Sequence, residues 1–278
     1  MKKLMIIFMA AVLFITFGAG FARPSITLPL PEVSAASAIV IDADTGKVLF
    51  SKNSDEVRAA ASLTKVMTTI LTLEAGDLDK QFKVDNNAIH VEGTSMGLRE
   101  NDIVTRRALC YGMMLPSGND AANAAAVSVG GSLPEFVKLM NNKAKQIGMK
   151  NTVYANPHGL DQNGHLSTAR DMAVLTAYAL KIADFREICK SRTARLEFGN
   201  PPYRRSLNNN NKMLFGYDGC VGVKTGFTDN ARRCLISAAT RGETTIIAVT
   251  LNAPDDWSDH TKMLNHGFTM TEILVRDY

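Results

Sequence analysis

A serine and a lysine stand three positions apart at the start of an apolar stretch, in Ser62-Leu63-Thr64-Lys65. On a helix, residues with this spacing share a face and come within hydrogen-bonding distance. A serine hydroxyl is a weak nucleophile that needs a neighbouring base, and an uncharged lysine amine can serve as that base. Burial or a second cation nearby lowers a lysine pKa and favours the uncharged form. The alternative is a helix-capping serine followed by an exposed lysine.

Two further motifs carry groups that suit the same chemistry. Ser117-Gly118-Asn119 lies between two predicted helices and offers a hydroxyl and an amide, although both residues also suit helix capping. Similar Ser-x-Asn triplets begin at Ser51 and Ser206, and only their positions in the chain argue against them. Lys224-Thr225-Gly226, on a predicted edge strand, offers a cation and a hydroxyl to a substrate carboxylate, and its glycine admits a substrate backbone.

The secondary structure predicted around these motifs changes along the chain from strands to helices and then back to strands. The predicted strands cover residues 37–42, 47–51, 192–198, 221–225, 233–240 and 244–251. The predicted helices start at Ser62 and cover 105–115, 120–129, 132–148, 167–183 and 256–274. This order predicts an α+β fold, in which an antiparallel sheet is flanked by helices and an inserted all-helical subdomain spans about 76–190. A cleft between the two parts is the expected ligand site.

Composition and charge exclude several other classes of protein. Of the 278 residues, 46% are hydrophobic and 21% charged, which is too apolar for a disordered chain. The net charge of +4 comes without a basic run, so we expect no nucleic-acid partner. The four cysteines lack Cys-x-x-Cys spacing and the five histidines lack His-Glu-x-x-His spacing, so we expect free thiols and no metal site.

Residues 1–22 are typical of a secretory signal peptide. Lys2-Lys3 precede an apolar segment from Leu4 to Phe17, and Gly20-Phe21-Ala22 offers a cleavage site. An uncleaved N-terminal anchor is the alternative. No later stretch approaches the roughly 20 apolar residues of a membrane span. We therefore expect an exported protein, on the extracellular or cell-envelope face, with an extended segment at 23–36 and one enzymatic domain at 37–278.

With its three motifs in this order, the chain resembles the low-molecular-mass penicillin-binding proteins that are serine-type D-alanyl-D-alanine carboxypeptidases of peptidase family S11. The sequence also resembles this family over four longer segments, at residues 60–67, 156–161, 167–173 and 222–228. It implies a β-lactamase/transpeptidase-like fold. It also implies peptidoglycan stem peptides as substrates, β-lactams as inhibitors that acylate the same serine, and no cofactor.

The resemblance implies a role for each motif residue: Ser62 as the acylated nucleophile, Lys65 as its general base and Ser117 as a proton relay. The implied substrate-binding residues are Asn119, Lys224, Thr225 and Gly226, and the implied oxyanion hole consists of the backbone N–H groups of Ser62 and Phe227. The family's reaction releases the terminal D-alanine and then hydrolyses the acyl-enzyme. The sequence leaves open the oligomeric state and the balance with endopeptidase or transpeptidase activity.

Two departures from the family pattern stand out. Relatives commonly have a glycine after the alanine where this chain has Ala231-Arg232-Arg233, so a bulky cation at Arg232 is expected to alter the cleft mouth. The sequence stops at Tyr278, so the C-terminal β-domain and membrane-anchor helix of many relatives are not expected.

Two other functions compete with this interpretation. A class A β-lactamase has an acidic residue in the middle of its Ser-x-Asn triplet and a Glu-x-x-Leu-Asn segment that activates water. This chain has Gly118 in that position and no such segment between Asn119 and Lys224. A non-catalytic penicillin-binding sensor is the second alternative, and an intact Ser62 and Lys65 argue against it.

Overall fold

The computed structural model describes residues 28–276, and the predicted signal peptide at 1–22 lies outside them. The strands are β1 (Ser37–Asp42), β2 (Val48–Lys52), β3 (Gln81–Lys83), β4 (Ile103–Thr105), β5 (Thr193–Gly199), β6 (Pro202–Asn208), β7 (Cys220–Thr228), β8 (Arg232–Arg241) and β9 (Thr244–Leu251). The α-helices are α1 (Lys65–Glu74), α2 (Arg106–Met114), α3 (Asn119–Gly130), α4 (Leu133–Gln146), α5 (Ala169–Ala179), α6 (Ala183–Lys190), α7 (Met213–Gly216) and α8 (Asp256–Arg276).

Five strands form an antiparallel sheet in the order β2-β1-β9-β8-β7. Its first and last strands in sequence are neighbours, since Ile39 of β1 lies opposite Val249 of β9. Strand β7 lies at the edge and carries Lys224-Thr225-Gly226. The predicted arrangement of one antiparallel sheet flanked by helices is confirmed.

Both faces of the sheet are buried, which explains why its strands contain nearly unbroken apolar runs. Alternate residues face opposite sides of a strand. Ile39 and Val249 therefore pack on the side of α1 and α5, whereas Val40 and Ala248 pack on the side of α8. The sheet is thus a layer between helices, and its free edge at β7 faces the start of α1.

Helix α1 runs through the interior, and its first nine residues are buried. The helix is enclosed by other elements, and its buried threonines Thr68 and Thr72 donate their hydroxyl groups to backbone oxygens. The sequence predicts that the helix starts at Ser62, but the structure has a 3-10 turn at Ala61–Thr64 and α-helical geometry from Lys65 onwards. Tighter turns of this kind are common at helix starts.

Two small strand pairs lie outside the central sheet. Strands β3 and β4 pair within the stretch expected to be all-helical, next to α2. The strand predicted at 192–198 pairs with β6, a strand not predicted from the sequence, and joins no strand of the central sheet. All four cysteines are unpaired thiols. Within residues 28–276, no helix has the length and apolar character needed to cross a membrane.

Candidate active site

The turn that carries Ser62 leads directly into α1, and this places Lys65 beneath the serine. The Lys65 Nζ atom lies 2.9 Å from Ser62 Oγ. Lys65 is fully buried, whereas Ser62 is partly exposed. The structure therefore places an amine within proton-transfer distance of a hydroxyl that a substrate can reach.

Lys65 has two further partners, and both are fixed carbonyl oxygens. Its Nζ donates to Asn119 Oδ1 and to the backbone oxygen of His158, each at 2.7 Å. A carbonyl oxygen only accepts, so each of these contacts requires an N–H from the lysine. An uncharged amine has two N–H bonds and one lone pair. In the uncharged form the two carbonyls take both N–H bonds, and the lone pair is left for the Ser62 hydroxyl, which is the one partner of the three able to donate.

The surroundings of Lys65 favour the uncharged amine. Burial lowers the Lys65 pKa well below its ordinary value, and the positive charge of Lys224 lowers it further. The carboxylate of Asp120 opposes this shift. Lys224 is buried as well, and burial lowers its pKa to about 7, while Cys189 acts in the opposite direction. Lys65 and Lys224 are both buried, and their like charges repel, so protonation of both lysines at once is energetically unfavourable.

The Ser117-Gly118-Asn119 loop belongs to the helical part of the fold, and it reaches Lys65 through the Asn119 side chain. Asn119 starts α3, and its side-chain Nδ2 donates to the Glu92 backbone oxygen at 2.7 Å. The amide is therefore fixed at both ends. Ser117 has a left-handed backbone conformation with a φ of +70°. Such a conformation is unusual for a serine and costs about 1–3 kcal/mol.

Edge strand β7 closes the third side of the site. A Cβ atom built on Gly226 would lie 3.1 Å from the Ser62 backbone nitrogen, so a larger residue here would crowd Ser62. Lys224 Nζ donates to the backbone oxygen of Thr225 at 2.8 Å. The strand is longer than the predicted 221–225 and includes Phe227, whose side chain is exposed.

These three sides enclose a cavity of about 440 Å³ at the Ser62 hydroxyl. Its lining residues are Ser62, Thr94, Ser117, Asn210, Lys212, Thr225, Gly226, Phe227, Arg233, Asp256 and Trp257. Lys65, Asn119 and Lys224 are buried behind this surface. A larger cavity of about 520 Å³ lies between the β1–β2 turn and α5. It contains no serine–lysine pair, so the cavity at Ser62 is the candidate active site.

A family model for the D-alanyl-D-alanine carboxypeptidases of peptidase family S11 matches residues 25–255. The chain belongs to this family of serine penicillin-binding enzymes. The resemblance inferred from the motifs is therefore confirmed.

Relatives in this family carry three different reaction names. The D-alanyl-D-alanine carboxypeptidase DacF of Bacillus subtilis (strain 168) is 37% identical over 283 aligned positions, covering 98% of this chain and 72% of the relative. The D-alanyl-D-alanine endopeptidase of Escherichia coli (strain K12) is 31% identical over 230 positions, covering 82% of this chain and 74% of the relative. The crystal structure of the Streptomyces K15 DD-transpeptidase has a TM-score of 0.82 at 31% identity and covers 87% of this chain and 100% of that chain.

Gly118 is required by close packing in this S11 chain. A Cβ atom there would lie 2.7 Å from Asp120 Oδ1 and 2.8 Å from the Met96 backbone nitrogen. Asp120 in turn accepts hydrogen bonds from the backbone nitrogens of Met96 and Leu98, each at 2.9 Å. The acidic residue that class A β-lactamases have in the middle of this triplet does not fit without rearrangement of the loop.

Several residues of the site were not predicted from the sequence. The His158 backbone oxygen accepts a hydrogen bond from Lys65. The one sequence signal for this segment was its resemblance to the family at residues 156–161. The expected cation at the cleft mouth is Arg233, which lines the cavity, and not Arg232. Arg232 instead has a φ of +59°, a conformation that suits the glycine common in the family. Asp256 and Trp257 begin α8, far along the chain from every motif.

Gly159 packs against the turn that carries Ser62, and its replacement tests this contact. A Cβ atom on Gly159 would lie 2.0 Å from the Ala61 backbone oxygen, and its φ is +88°. We expect Gly159→Ala to lower the free energy of unfolding by about 3 kcal/mol and to reduce activity. The matched control is Gly164→Ala, with a φ of +80° and open space around its Cβ, where a loss of about 1 kcal/mol is expected. Urea unfolding of both variants measures the difference, and equal losses would contradict the steric argument.

Proposed function

We propose that this chain removes the terminal D-alanine from peptidoglycan stem peptides through an acyl-enzyme on Ser62. The observation that carries this proposal is the hydrogen-bond arrangement of Lys65, whose two carbonyl partners leave its lone pair for the Ser62 hydroxyl. A binding protein without catalysis has no use for such a pair. The catalytic residues of the proposal are Ser62, Lys65 and Ser117.

Acylation begins with proton transfer from Ser62 to Lys65. The serine oxygen attacks the carbonyl carbon of the penultimate D-alanine, and the backbone N–H groups of Ser62 and Phe227 bind the resulting oxyanion. The peptide C–N bond then breaks, and the proton passes from Lys65, through the Ser117 hydroxyl, to the departing amine. A water molecule attacks the ester in the second step, and the same base accepts its proton.

Substrate binding is assigned to the residues around this pair. The fixed Asn119 amide binds a peptide group of the substrate, and Gly226 allows the substrate backbone to lie along edge strand β7. Lys224 and Thr225 attract the terminal carboxylate. A charged Lys224 also lowers the Lys65 pKa, so it serves both binding and catalysis.

The two lysines predict a bell-shaped pH profile for kcat/KM. The rate requires an uncharged Lys65, whose pKa is depressed, so it rises as the pH increases through that pKa. The rate also requires a charged Lys224, so it falls as the pH increases through about 7. Steady-state kinetics over a pH series measures both limbs. Lys224→Arg keeps its charge at every pH, and we expect it to lose the falling limb; a falling limb at the same pH would contradict the assignment.

Incubation of the purified protein with a peptide that ends in D-Ala-D-Ala tests the proposed function. Mass spectrometry should detect free D-alanine and a peptide shorter by one residue, and a penicillin should leave a stable adduct on the protein. Rapid multiple-turnover hydrolysis of the penicillin without release of D-alanine would instead show a β-lactamase. A stable adduct without D-alanine release would show a sensor.

We also propose that the protein is exported to the cell envelope, where its substrate lies. The charged and apolar pattern of residues 1–22 supports this, although those residues lie outside the described part of the chain. The N-terminal sequence of the protein isolated from its own cells tests the proposal. A mature chain that begins near residue 23 is expected, and a cytoplasmic protein with an intact leader would contradict it.

A further inference from the structure

A buried histidine with no role in the steps above contacts the turn that carries Ser62. His165 is 5% exposed, and its Nε2 atom lies 2.8 Å from the hydroxyl oxygen of Thr64, which is fully buried. Thr64 directly precedes Lys65 in the Ser-x-x-Lys motif. Neither His165 nor Thr64 is among the residues that line the cavity at Ser62. Any effect of this histidine on the reaction therefore passes through Thr64.

The hydrogen bonds of His165 assign its protonation state. The backbone N–H of Ala155 donates to the Nδ1 atom at 3.1 Å, so Nδ1 carries a lone pair. The proton of the neutral ring is then on Nε2, and this N–H donates to Thr64. Burial lowers the pKa of His165 to about 4, while the Asp161 carboxylate raises it and the charge of Lys65 lowers it. The ring is therefore neutral near pH 7.

His165 stands at the neck of a loop that spans residues 153–166. Val153 and Leu166 close this loop with two backbone hydrogen bonds, from Val153 to Leu166 at 2.9 Å and in the reverse direction at 3.0 Å. His165 belongs to one side of the neck, and its partner Ala155 belongs to the other. Its ring thus joins both sides of the neck and ties them to Thr64 through a single buried hydrogen bond.

The far part of the 153–166 loop contacts α1 with backbone oxygens. The His158 oxygen accepts from Lys65 at 2.7 Å, and the Pro157 oxygen accepts from the Thr68 hydroxyl at 2.6 Å. The loop therefore supplies one of the two carbonyls that orient the Lys65 amine, and it helps to bury that amine. Burial is the main cause of the lowered Lys65 pKa. Displacement of the loop would admit water and raise this pKa towards its ordinary value.

We propose that His165 is a positioning residue for Lys65 and acts through its hydrogen bond to Thr64. This bond holds the 153–166 loop against the start of α1, so that the His158 oxygen stays on the Lys65 amine and water stays away from it. The inference rests on the proposed function, in which Lys65 is the general base. Its consequence is specific: loss of the bond slows acylation most at the pH values where uncharged Lys65 is scarce.

The pH dependence of penicillin acylation tests the inference on the purified full chain. His165→Phe keeps a ring of similar shape and removes both hydrogen bonds. We expect the acylation rate constant to fall by about tenfold at the pH where the rising limb of the wild type is half-maximal, and by a smaller factor at the rate maximum. His165→Gln places an amide N–H near the position of Nε2. We expect this donor to restore the rate on the rising limb to within about threefold of the wild type.

His260→Phe is the matched control, because the chain contains a second buried pair of histidine and threonine. His260 of α8 is fully buried, and its Nε2 atom lies 2.9 Å from the Thr250 hydroxyl oxygen. Neither residue lines the cavity at Ser62 or belongs to the 153–166 loop. This variant should lower the thermal unfolding temperature and leave the shape of the pH profile unchanged.

The outcomes separate this inference from the proposed function. A wild type that shows the rising limb but releases no D-alanine contradicts the proposed function and leaves the inference standing. A wild type without the rising limb contradicts the role of Lys65 and the inference with it. If His165→Phe slows acylation by the same factor at every pH, or if His165→Gln behaves like His165→Phe, only the inference fails.

Thr64→Val carries the test if His165→Phe does not fold. Valine has nearly the shape of threonine and lacks the hydroxyl that accepts from His165. A rising limb moved to higher pH supports the inference, and an unchanged pH profile overturns it.

Discussion

A Ser62→Ala protein is expected to take no covalent label from a fluorescent penicillin and to lose activity on a D-Ala-D-Ala peptide by about 10⁴-fold or more. In the proposed mechanism this hydroxyl forms the ester, and within residues 28–276 no other hydroxyl that lines the cavity has an amine at 2.9 Å. Gel fluorescence after a short incubation measures the label, and release of D-alanine measures the activity.

The control for this change is Ser206→Ala, which alters an exposed serine in one of the other Ser-x-Asn triplets. Full labelling and full activity are expected for it. Covalent labelling that survives in Ser62→Ala would show that another residue is the nucleophile, and the proposed mechanism would then be wrong.

Removal of the Lys65 amine is expected to have the second-largest effect. Lys65→Met has a similar length and no basic group, and we expect acylation by penicillin to slow by about 10²- to 10⁴-fold, the usual contribution of a general base. The variant also leaves Asn119 Oδ1 and the His158 oxygen without their donor, so some stability is lost as well. Stopped-flow acylation kinetics and thermal unfolding measure the two effects separately.

Lys138→Met is the matched control, because Lys138 is exposed on α4 and, among the residues that the structure describes, pairs only with Glu135. Its acylation rate should equal that of the wild type. If Lys65→Met were acylated at more than about a tenth of the wild-type rate, the base would lie elsewhere.

The motifs could be found from sequence because short-range geometry fixes them. Ser62 and Lys65 lie one helical turn apart, so their proximity follows from the spacing alone. The central strands could be predicted because their apolar runs are long and bounded by turns. Strands β3 and β6 were missed because they are short or exposed on alternate residues, and their pairing depends on neighbours that local pattern does not specify.

The sequence by itself determined the family and singled out the serine and lysine that are proposed as nucleophile and base, because these inferences depend on residue types at fixed local spacing. Only the tertiary structure decided how Lys65 is used. Its two carbonyl partners come from Asn119 and His158, which are distant in sequence. In the uncharged amine these contacts use both N–H bonds, so the lone pair is left for the Ser62 hydroxyl. The tertiary structure likewise decided which arginine lines the cavity at Ser62. Strand register and the start of α8 bring Arg233 and Asp256 together, and long-range packing of this kind leaves no local pattern in the chain.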